Sequence, residues 1–227
     1  MTVRNLEYFF RPKSVAVVSE SDESVRYAEI VLANLAAGGF AGPVLRVAAK
    51  KRSLFGLGAH IHIDELSTVP ELAIVCAPLA DVAAIIAKLG ELGTRAVIVG
   101  PSTREFLAAD ELANAYRAIL AAARPRLVRV LGPGSGGLLV PGGGLNASVA
   151  PAAVAPGRVA LIAQSTAVAA SVLDRAASRG IGFSAALHVG AGIDVDLPDG
   201  THLLESDTVE AGTEIVASDM PFGKLGH

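Results

Sequence analysis

Short apolar runs alternate with helix-like segments along the chain as far as Leu131. The runs are rich in β-branched residues and bounded by charged or turn residues, which is typical of strands covered on both faces. The predicted strands are Lys13–Ser19, Pro43–Val47, Leu72–Cys76, Ala96–Val99 and Leu127–Leu131, and the predicted helices are Tyr27–Ala37, Asp81–Leu92 and Arg104–Ala123. Strands that alternate with helices in this way predict an α/β protein with a doubly wound parallel sheet.

The pattern changes after Gly132. The stretch from Val130 to Gly157 is uncharged and rich in glycine and proline, which predicts a loop region and excludes a membrane-spanning helix there. A second unit follows, with predicted strands at Arg158–Ala163 and Phe183–Val189, a helix at Ser165–Ser178 and a last strand at Glu214–Ala217. We therefore predict a first domain at residues 1–145, a linker at 146–157 and a partial second domain with an irregular tail at 158–227.

Composition narrows the function classes. The chain has 19 Lys plus Arg against 22 Asp plus Glu, only 4% aromatic residues and no Trp, which argues against a nucleic-acid or membrane surface. The single cysteine, Cys76, excludes an internal disulfide. The segment Met1–Lys13 is charged and lacks the pattern of a secretory signal. We therefore expect a cytoplasmic protein.

A series of short segments resembles the NDP-forming acyl-CoA synthetases and the related protein lysine acetyltransferases. In collinear order the segments are Leu6–Val18, Asn34–Leu35, Gly38–Pro43, Leu72–Pro78, Gly93–Val97, Leu131–Pro133, Gly144–Ser148, Pro156–Ile162, Gln164–Ser165 and Ala176–Ser184. The resemblance implies a CoA-binding Rossmann-like domain followed by a truncated flavodoxin-like βαβ domain of the succinyl-CoA ligase type.

The resemblance also implies a reaction. In this family an acyl-CoA becomes an acyl phosphate and free CoA, and the phosphoryl group then passes through a histidine to ADP or GDP on an ATP-grasp module. The phosphorylated histidine is expected in a further flavodoxin-like domain beyond residue 227, and no residue here is assigned that role. We predict no catalytic residue.

The connection after the first strand is where the family binds the CoA phosphates, through a glycine-rich turn and a helix N-terminus. Here the segment 19–26 has no glycine, and three of its residues are acidic. Each carboxylate near a diphosphate costs on the order of 1 kcal/mol. The resemblance places Ser19, Ser21 and Arg26 in this weakened phosphate loop; the alternative is that Ser21 or Ser24 only caps the helix.

Other strand ends keep part of the family's CoA-contact pattern. These residues are Lys50, Ala77, Pro78, Gly132 and Pro133. All follow predicted strands at their carboxyl ends, where open parallel sheets bind ligands. The basic run Lys50–Arg52 is a candidate partner of the CoA 3′-phosphate, or else a solvated turn. The family usually has Asn where Gly134 stands, which weakens this contact.

The segment Gln164, Ser165 and Thr166 opens the second domain's helix. The family has Gln-Ser-Gly there, facing the phosphohistidine, so these residues are a candidate remnant of a phosphate site. Thr166 replaces the glycine, and the alternative is that Ser165 is only the helix N-cap.

No metal site is predicted. His60 and His62 with Asp64 alternate like one strand face, but no fourth ligand is indicated. The acidic run from Asp194 to Glu205 resembles a calcium loop, yet Gly200 falls one position too late for the required turn.

Three functions are compatible with these residues. The favoured one is a CoA- or acyl-CoA-binding α-type protein without independent catalysis. The second is a component of a split acyl-CoA ligase or acetyltransferase that is completed by an ATP-grasp or β-type partner subunit. The third is an NAD(P)-binding protein, against which the missing glycines argue equally. The short second domain leaves a sheet edge, so we expect it to pack on the first domain, a second copy in a homo-oligomer, or a partner.

Overall fold

The computed structural model describes residues 4–19, 22–48, 62–101, 107–150, 154–206 and 214–218. The helices are α1 (Glu7–Phe10), α2 (Asp22–Gly38), α3 (Leu79–Leu92), α4 (Ala109–Ala123), α5 (Thr166–Ala177) and α6 (Leu197–Ser206). The strands are β1 (Val15–Ser19), β2 (Val44–Ala48), β3 (Leu72–Cys76), β4 (Ala96–Val99), β5 (Arg129–Leu131), β6 (Gly137–Val140), β7 (Leu145–Ser148), β8 (Pro156–Ala163), β9 (Phe183–His188) and β10 (Glu214–Ser218). In the described ranges no helix is both long and apolar enough to span a membrane.

The first sheet is parallel, with strand order β2-β1-β3-β4-β5. Every residue of β1, β3 and β4 is buried, as continuous apolar runs predict for strands covered on both faces. Val15 and Val17 pack with α2, whereas Ala16 and Val18 face the opposite layer formed by α3 and α4. The predicted doubly wound α/β fold is confirmed.

The second sheet has strand order β10-β8-β9-β6-β7. Strands β10, β8 and β9 are parallel, and β6 and β7 join them in antiparallel orientation. The predicted strand at 214–217 is therefore confirmed. Helices α5 and α6 pack on opposite faces of β8, α5 on the side of Leu161 and α6 on the side of Ile162.

The prediction of a loop from Val130 to Gly157 is wrong. The hairpin β6–β7 lies inside this stretch and pairs with β9. Gly137 begins β6 at a φ of 91°, and a Cβ there would lie 2.1 Å from the Ala147 carbonyl oxygen. Glycine at residue 137 thus permits the close approach of β6 and β7 and does not indicate a loop. The hairpin belongs to the second sheet; the domain ranges proposed above stay a prediction.

Helix α6 was also missed by the sequence pattern. Asp196 precedes it and accepts a hydrogen bond at Oδ1 from the Asp199 N–H at 3.0 Å. This is an N-cap contact, and Pro198 in the first turn has no N–H that needs a partner. Asp196 and Pro198 are residues typical of a helix start, but the segment that follows is short and has little apolar periodicity.

The hairpin also joins the two domains. Strand β6 covers the edge of β9, and β7 packs against α2 of the first domain. Asn34 of α2 donates from Nδ2 to the carbonyl oxygens of Ser148 at 2.8 Å and Ala150 at 2.9 Å. One apolar cluster runs through both sheets, including Ile74 of the first and Leu187 of the second. The second domain therefore packs on the first domain, which is one of the three arrangements expected from the sequence.

Candidate functional site

The chain order of the first sheet reverses between β1 and β3. Ser19 at the end of β1 is in register with Cys76 at the end of β3. Helix α2 begins at Asp22 on one face and α3 at Leu79 on the other, each a few residues beyond its strand. Strand ends and helix N-termini that meet at such a reversal form the usual ligand crevice of an open α/β sheet.

The fold brings several predicted residues to this edge. Ala77 and Pro78 link β3 to α3, and Ala77 is buried while Pro78 is half-buried. Ser21 and Lys50 lie outside the described residues. Arg26 is exposed in the second turn of α2.

Ser19 does not present its side chain to solvent. Its side chain is 1% exposed, and its Oγ lies 2.8 Å from Oγ of Ser24, which is also buried in the first turn of α2. The hydroxyl pair therefore braces the turn between β1 and α2. Any contact between Ser19 and a ligand would have to come from its backbone.

Gly132 and Pro133 follow β5, two strands further along the same edge. Both are buried, and only Gly134 of this turn is exposed. The turn is tied to the end of β4, because Ser135 N–H donates to the Val99 carbonyl oxygen at 3.0 Å. The end of β4 and the turn 132–135 thus form one rim, in which Gly134 is exposed.

The predicted phosphate remnant lies at the carboxyl edge of the second sheet. Ser165 is the N-cap of α5 and accepts from the Val168 N–H at 3.5 Å, as the alternative interpretation predicted. Thr166 is exposed, and its Oγ1 lies 3.0 Å from His188 Nε2. Gln164 is half-buried next to them.

Sequence reasoning missed His188, which lies within the predicted strand Phe183–Val189. Its Nδ1 accepts the N–H of Gly136 at 2.5 Å, so the proton of the neutral ring is on Nε2, facing Thr166. Burial lowers the His188 pKa to about 4, against the opposing effect of hydrogen bonds with the backbones of Gln164 and His188. The ring is thus neutral near pH 7, and neither nitrogen offers a free lone pair to a phosphoryl group.

Two aspartates of the acidic run beyond β9 form ion pairs with Arg129. Arg129 of β5 bonds from Nε to Asp194 Oδ2 and from Nη2 to Asp199 Oδ2, both at 2.9 Å. Asp194 also accepts the N–H of Val130 at 2.8 Å. These carboxylates, which superficially resemble a calcium loop in the sequence, therefore fix the second domain to the outer strand of the first sheet.

The remaining sequence candidates lie apart from this edge or within the core. His60 is outside the described residues, while His62 and Asp64 are exposed. Across the described residues no group of three or more potential metal ligands occurs. Burial raises the pKa of the Cys76 thiol to about 12, so Cys76 packs as a small apolar residue.

The fold defines a Rossmann-like α/β protein whose second domain has its own mixed sheet. A family model described as CoA binding domain matches residues 13–141. A second model, described as succinyl-CoA ligase like flavodoxin domain, matches residues 156–217. The chain belongs to the CoA binding domain family and carries a succinyl-CoA ligase-like domain after it.

Similar proteins agree with this assignment. The acetate–CoA ligase [ADP-forming] I subunit alpha of Pyrococcus furiosus is 27% identical over 89% of this chain and 45% of its own length. The acetate–CoA ligase [ADP-forming] of Methanocaldococcus jannaschii is 27% identical over 93% of this chain and 29% of its own length. The chain thus spans less than half of these curated relatives.

A solved structure extends the likeness to three dimensions. The dinucleotide forming acetyl-coenzyme A synthetase 1 of Ca. Korarchaeum cryptofilum, in complex with phosphate and ADP, superimposes with a TM-score of 0.84 and 26% identity. The match covers 97% of this chain and 46% of that protein. The resemblance to NDP-forming acyl-CoA synthetases is confirmed.

Proposed function

We propose that this chain binds CoA or an acyl-CoA as an α-type protein of the NDP-forming acyl-CoA synthetase family and does not catalyse the ligase reaction alone. One observation carries the proposal: β1 and β3 end side by side at the reversal of strand order, with the N-termini of α2 and α3 on opposite faces. This edge is where an open α/β sheet receives a phosphate-bearing ligand.

The contacts that we assign to CoA follow from this placement. Ser19, Ala77 and Pro78 lie where β1 and β3 end, and we assign their backbone groups to the ligand. Gly132 and Pro133 follow β5, two strands further along the same edge, and we assign them to its far side. Small residues at both borders leave room for the ligand. Lys50 comes two residues after β2 in the sequence and is assigned to the 3′-phosphate on the basis of sequence alone.

The diphosphate is expected to bind less tightly than on a glycine-rich loop. Residues 19–24 contain no glycine, and Glu20, Asp22 and Glu23 are close in sequence to the start of α2. Their negative charges oppose the attraction that the helix N-terminus exerts on phosphate. We therefore expect a weaker CoA site, but one that still forms.

The lack of independent catalysis is supported by His188, the last residue of β9, whose ring faces Thr166 at the start of α5. Its Nδ1 already accepts the Gly136 N–H and its Nε2 faces Thr166, so the ring is suited to positioning and not to phosphoryl transfer. The alternative is a split acyl-CoA ligase completed by an ATP-grasp or β-type subunit. It is favoured by the Pyrococcus furiosus relative, which is itself named as a subunit alpha.

Isothermal titration of the purified chain with CoA, acetyl-CoA and NADH tests the proposal. We expect CoA to bind with a micromolar dissociation constant and NADH not to bind. Binding of NADH in preference to CoA would favour the NAD(P)-binding alternative. No binding of CoA or acetyl-CoA at millimolar concentration would refute the proposed function.

A further inference from the structure

A cavity of about 220 Å³ lies between the first half of α5 and the second sheet. Its deep end is formed by the buried side chains of Leu161, Leu173 and Ala186. Ala170 of α5 is too short to fill the space above them. None of the described lining residues is charged. An apolar cavity of this kind favours an uncharged, apolar ligand group over a nucleotide or an inorganic anion.

The mouth of the cavity carries a polar pair. Thr166 is exposed at one side, and the half-buried Val149 and Ala150 border it, so the cavity opens to solvent there. Because His188 accepts the Gly136 N–H at Nδ1, its Nε2–H donates to Thr166 Oγ1 across 3.0 Å. The hydroxyl hydrogen of Thr166 is thereby directed away from the ring and is available to a ligand oxygen.

The cavity is close to the rim assigned to CoA. Gly136, which lies on its wall, is four residues beyond Gly132 in the chain. Four residues span at most about 14 Å, a distance that the flexible arm of CoA can bridge. A thioester carbonyl at the mouth would meet the Thr166 hydroxyl, and the acyl chain would enter the apolar space.

We propose that this cavity binds the acyl group of an acyl-CoA thioester and selects short branched or aromatic apolar acyl groups, with Thr166 donating to the thioester carbonyl. The proposal rests on the proposed CoA-binding function. A 150 Å³ apolar cavity accommodates benzene, so this larger one accommodates an acyl group of about four to seven carbons. An acetyl group would leave most of the space empty and would gain little from it.

Titration of the chain with CoA, acetyl-CoA and isovaleryl-CoA measures the dissociation constant of each and so tests whether the cavity selects the acyl group. We expect isovaleryl-CoA to bind at least tenfold more tightly than acetyl-CoA, since three more carbons leave water. Equal affinities for the two thioesters, with CoA still bound, would overturn the acyl pocket and leave the proposed function intact. If CoA itself does not bind, both proposals fall.

Two variants locate the effect, and thermal melting confirms that each folds. Ala170→Leu fills the cavity, so the preference for isovaleryl-CoA over acetyl-CoA should fall to less than threefold. Its matched control is Ala177→Leu on the exposed side of α5, which should keep the full preference. Thr166→Val should weaken isovaleryl-CoA about fivefold relative to free CoA through loss of one hydrogen bond. A full preference in Ala170→Leu would show that the acyl group lies elsewhere.

Discussion

Polar side chains with little exposure hold connections between elements in both domains. Ser19 pairs with Ser24, His188 links the Gly136 turn to Thr166, and Arg129 joins β5 to the acidic run after β9. Each contact links residues from different elements. The residues that shape the site therefore act mainly by positioning backbone.

Breaking the Arg129 network should cost far more than breaking a surface ion pair. The side chains of Arg129 and Asp199 are 13% and 11% exposed, so Arg129→Gln leaves two carboxylates without their cation in a poorly solvated place. We expect a loss of about 3 kcal/mol in the free energy of unfolding, measured by urea denaturation.

Arg126→Gln is the matched control for this variant. Arg126 pairs with Glu91, whose side chain is 63% exposed, and the change should cost less than about 1 kcal/mol. Equal losses in the two variants would show that the Arg129 network contributes no more than an exposed pair.

His188 predicts a specific pH dependence of stability. Its pKa is lowered from 6.5 to about 4 in the folded state, so below pH 6.5 the unfolded chain binds a proton that the folded chain does not. Stability should therefore fall by up to about 3 kcal/mol as the pH drops from 6.5 to 4, and this contribution should be constant above and below that window.

The variant His188→Asn tests this assignment, because its side chain retains an acceptor for the Gly136 N–H and does not titrate. Its stability should fall less steeply between pH 6.5 and 4 than that of the parent chain. His62→Asn, at an exposed histidine, should keep the parent slope. An unchanged slope in His188→Asn would assign the acid sensitivity to other groups.

Among the helices and strands, those with one continuous apolar pattern are predictable from sequence. Strands β1, β3 and β4 are buried along their whole length and appear as unbroken apolar runs, and α3 ends at Gly93 as expected. The hairpin β6–β7 was not predictable in this way. Its strands are short and contain or adjoin glycine and proline. Strand β6 is held by pairing with β9, a contact distant in sequence.

Gly137 should be essential to that hairpin. A Cβ at residue 137 would lie 2.6 Å from the Ser148 Cα as well as against the Ala147 carbonyl, and its φ is positive. We expect Gly137→Ala to lower the free energy of unfolding by about 2 kcal/mol or more, measured by chemical denaturation.

Gly142→Ala, in the turn of the same hairpin, is its control. No atom lies within 4 Å of a Cβ at residue 142, so this change should be nearly neutral. A neutral effect of Gly137→Ala as well would mean that the strands can separate locally without loss of stability.

At the scale of the whole molecule, the sequence indicates which edge of the first sheet receives a ligand, but not how the two domains are joined. The edge is predictable because carboxyl ends of parallel strands must meet, which places Ser19, Ala77 and Gly132 on one side of the sheet. The links between domains are not predictable, because they join residues such as Arg129 and Asp194 that are 65 positions apart. His188 was hidden for the same reason, since its partners come from two other segments.

The charge of the chain as a whole acts against an anionic ligand. Its formal charge is −3, and three carboxylates are concentrated in residues 20–23. Glu20→Gln should therefore tighten CoA binding at least twofold at low salt, and the gain should shrink as ionic strength rises. Glu29→Gln, further along α2, is the control in the same titration. An equal gain in both variants would assign the effect to net charge alone.

Hydrogen–deuterium exchange of the chain with and without saturating CoA tests the proposed CoA site most directly. We expect slower exchange at the amides of Ala77, of residues 79–81 and 134–136, and of the first turn of α2, which border the carboxyl edge of the first sheet. If protection is confined to other surfaces, or if saturating CoA protects no amide, the proposed CoA site at this edge is wrong.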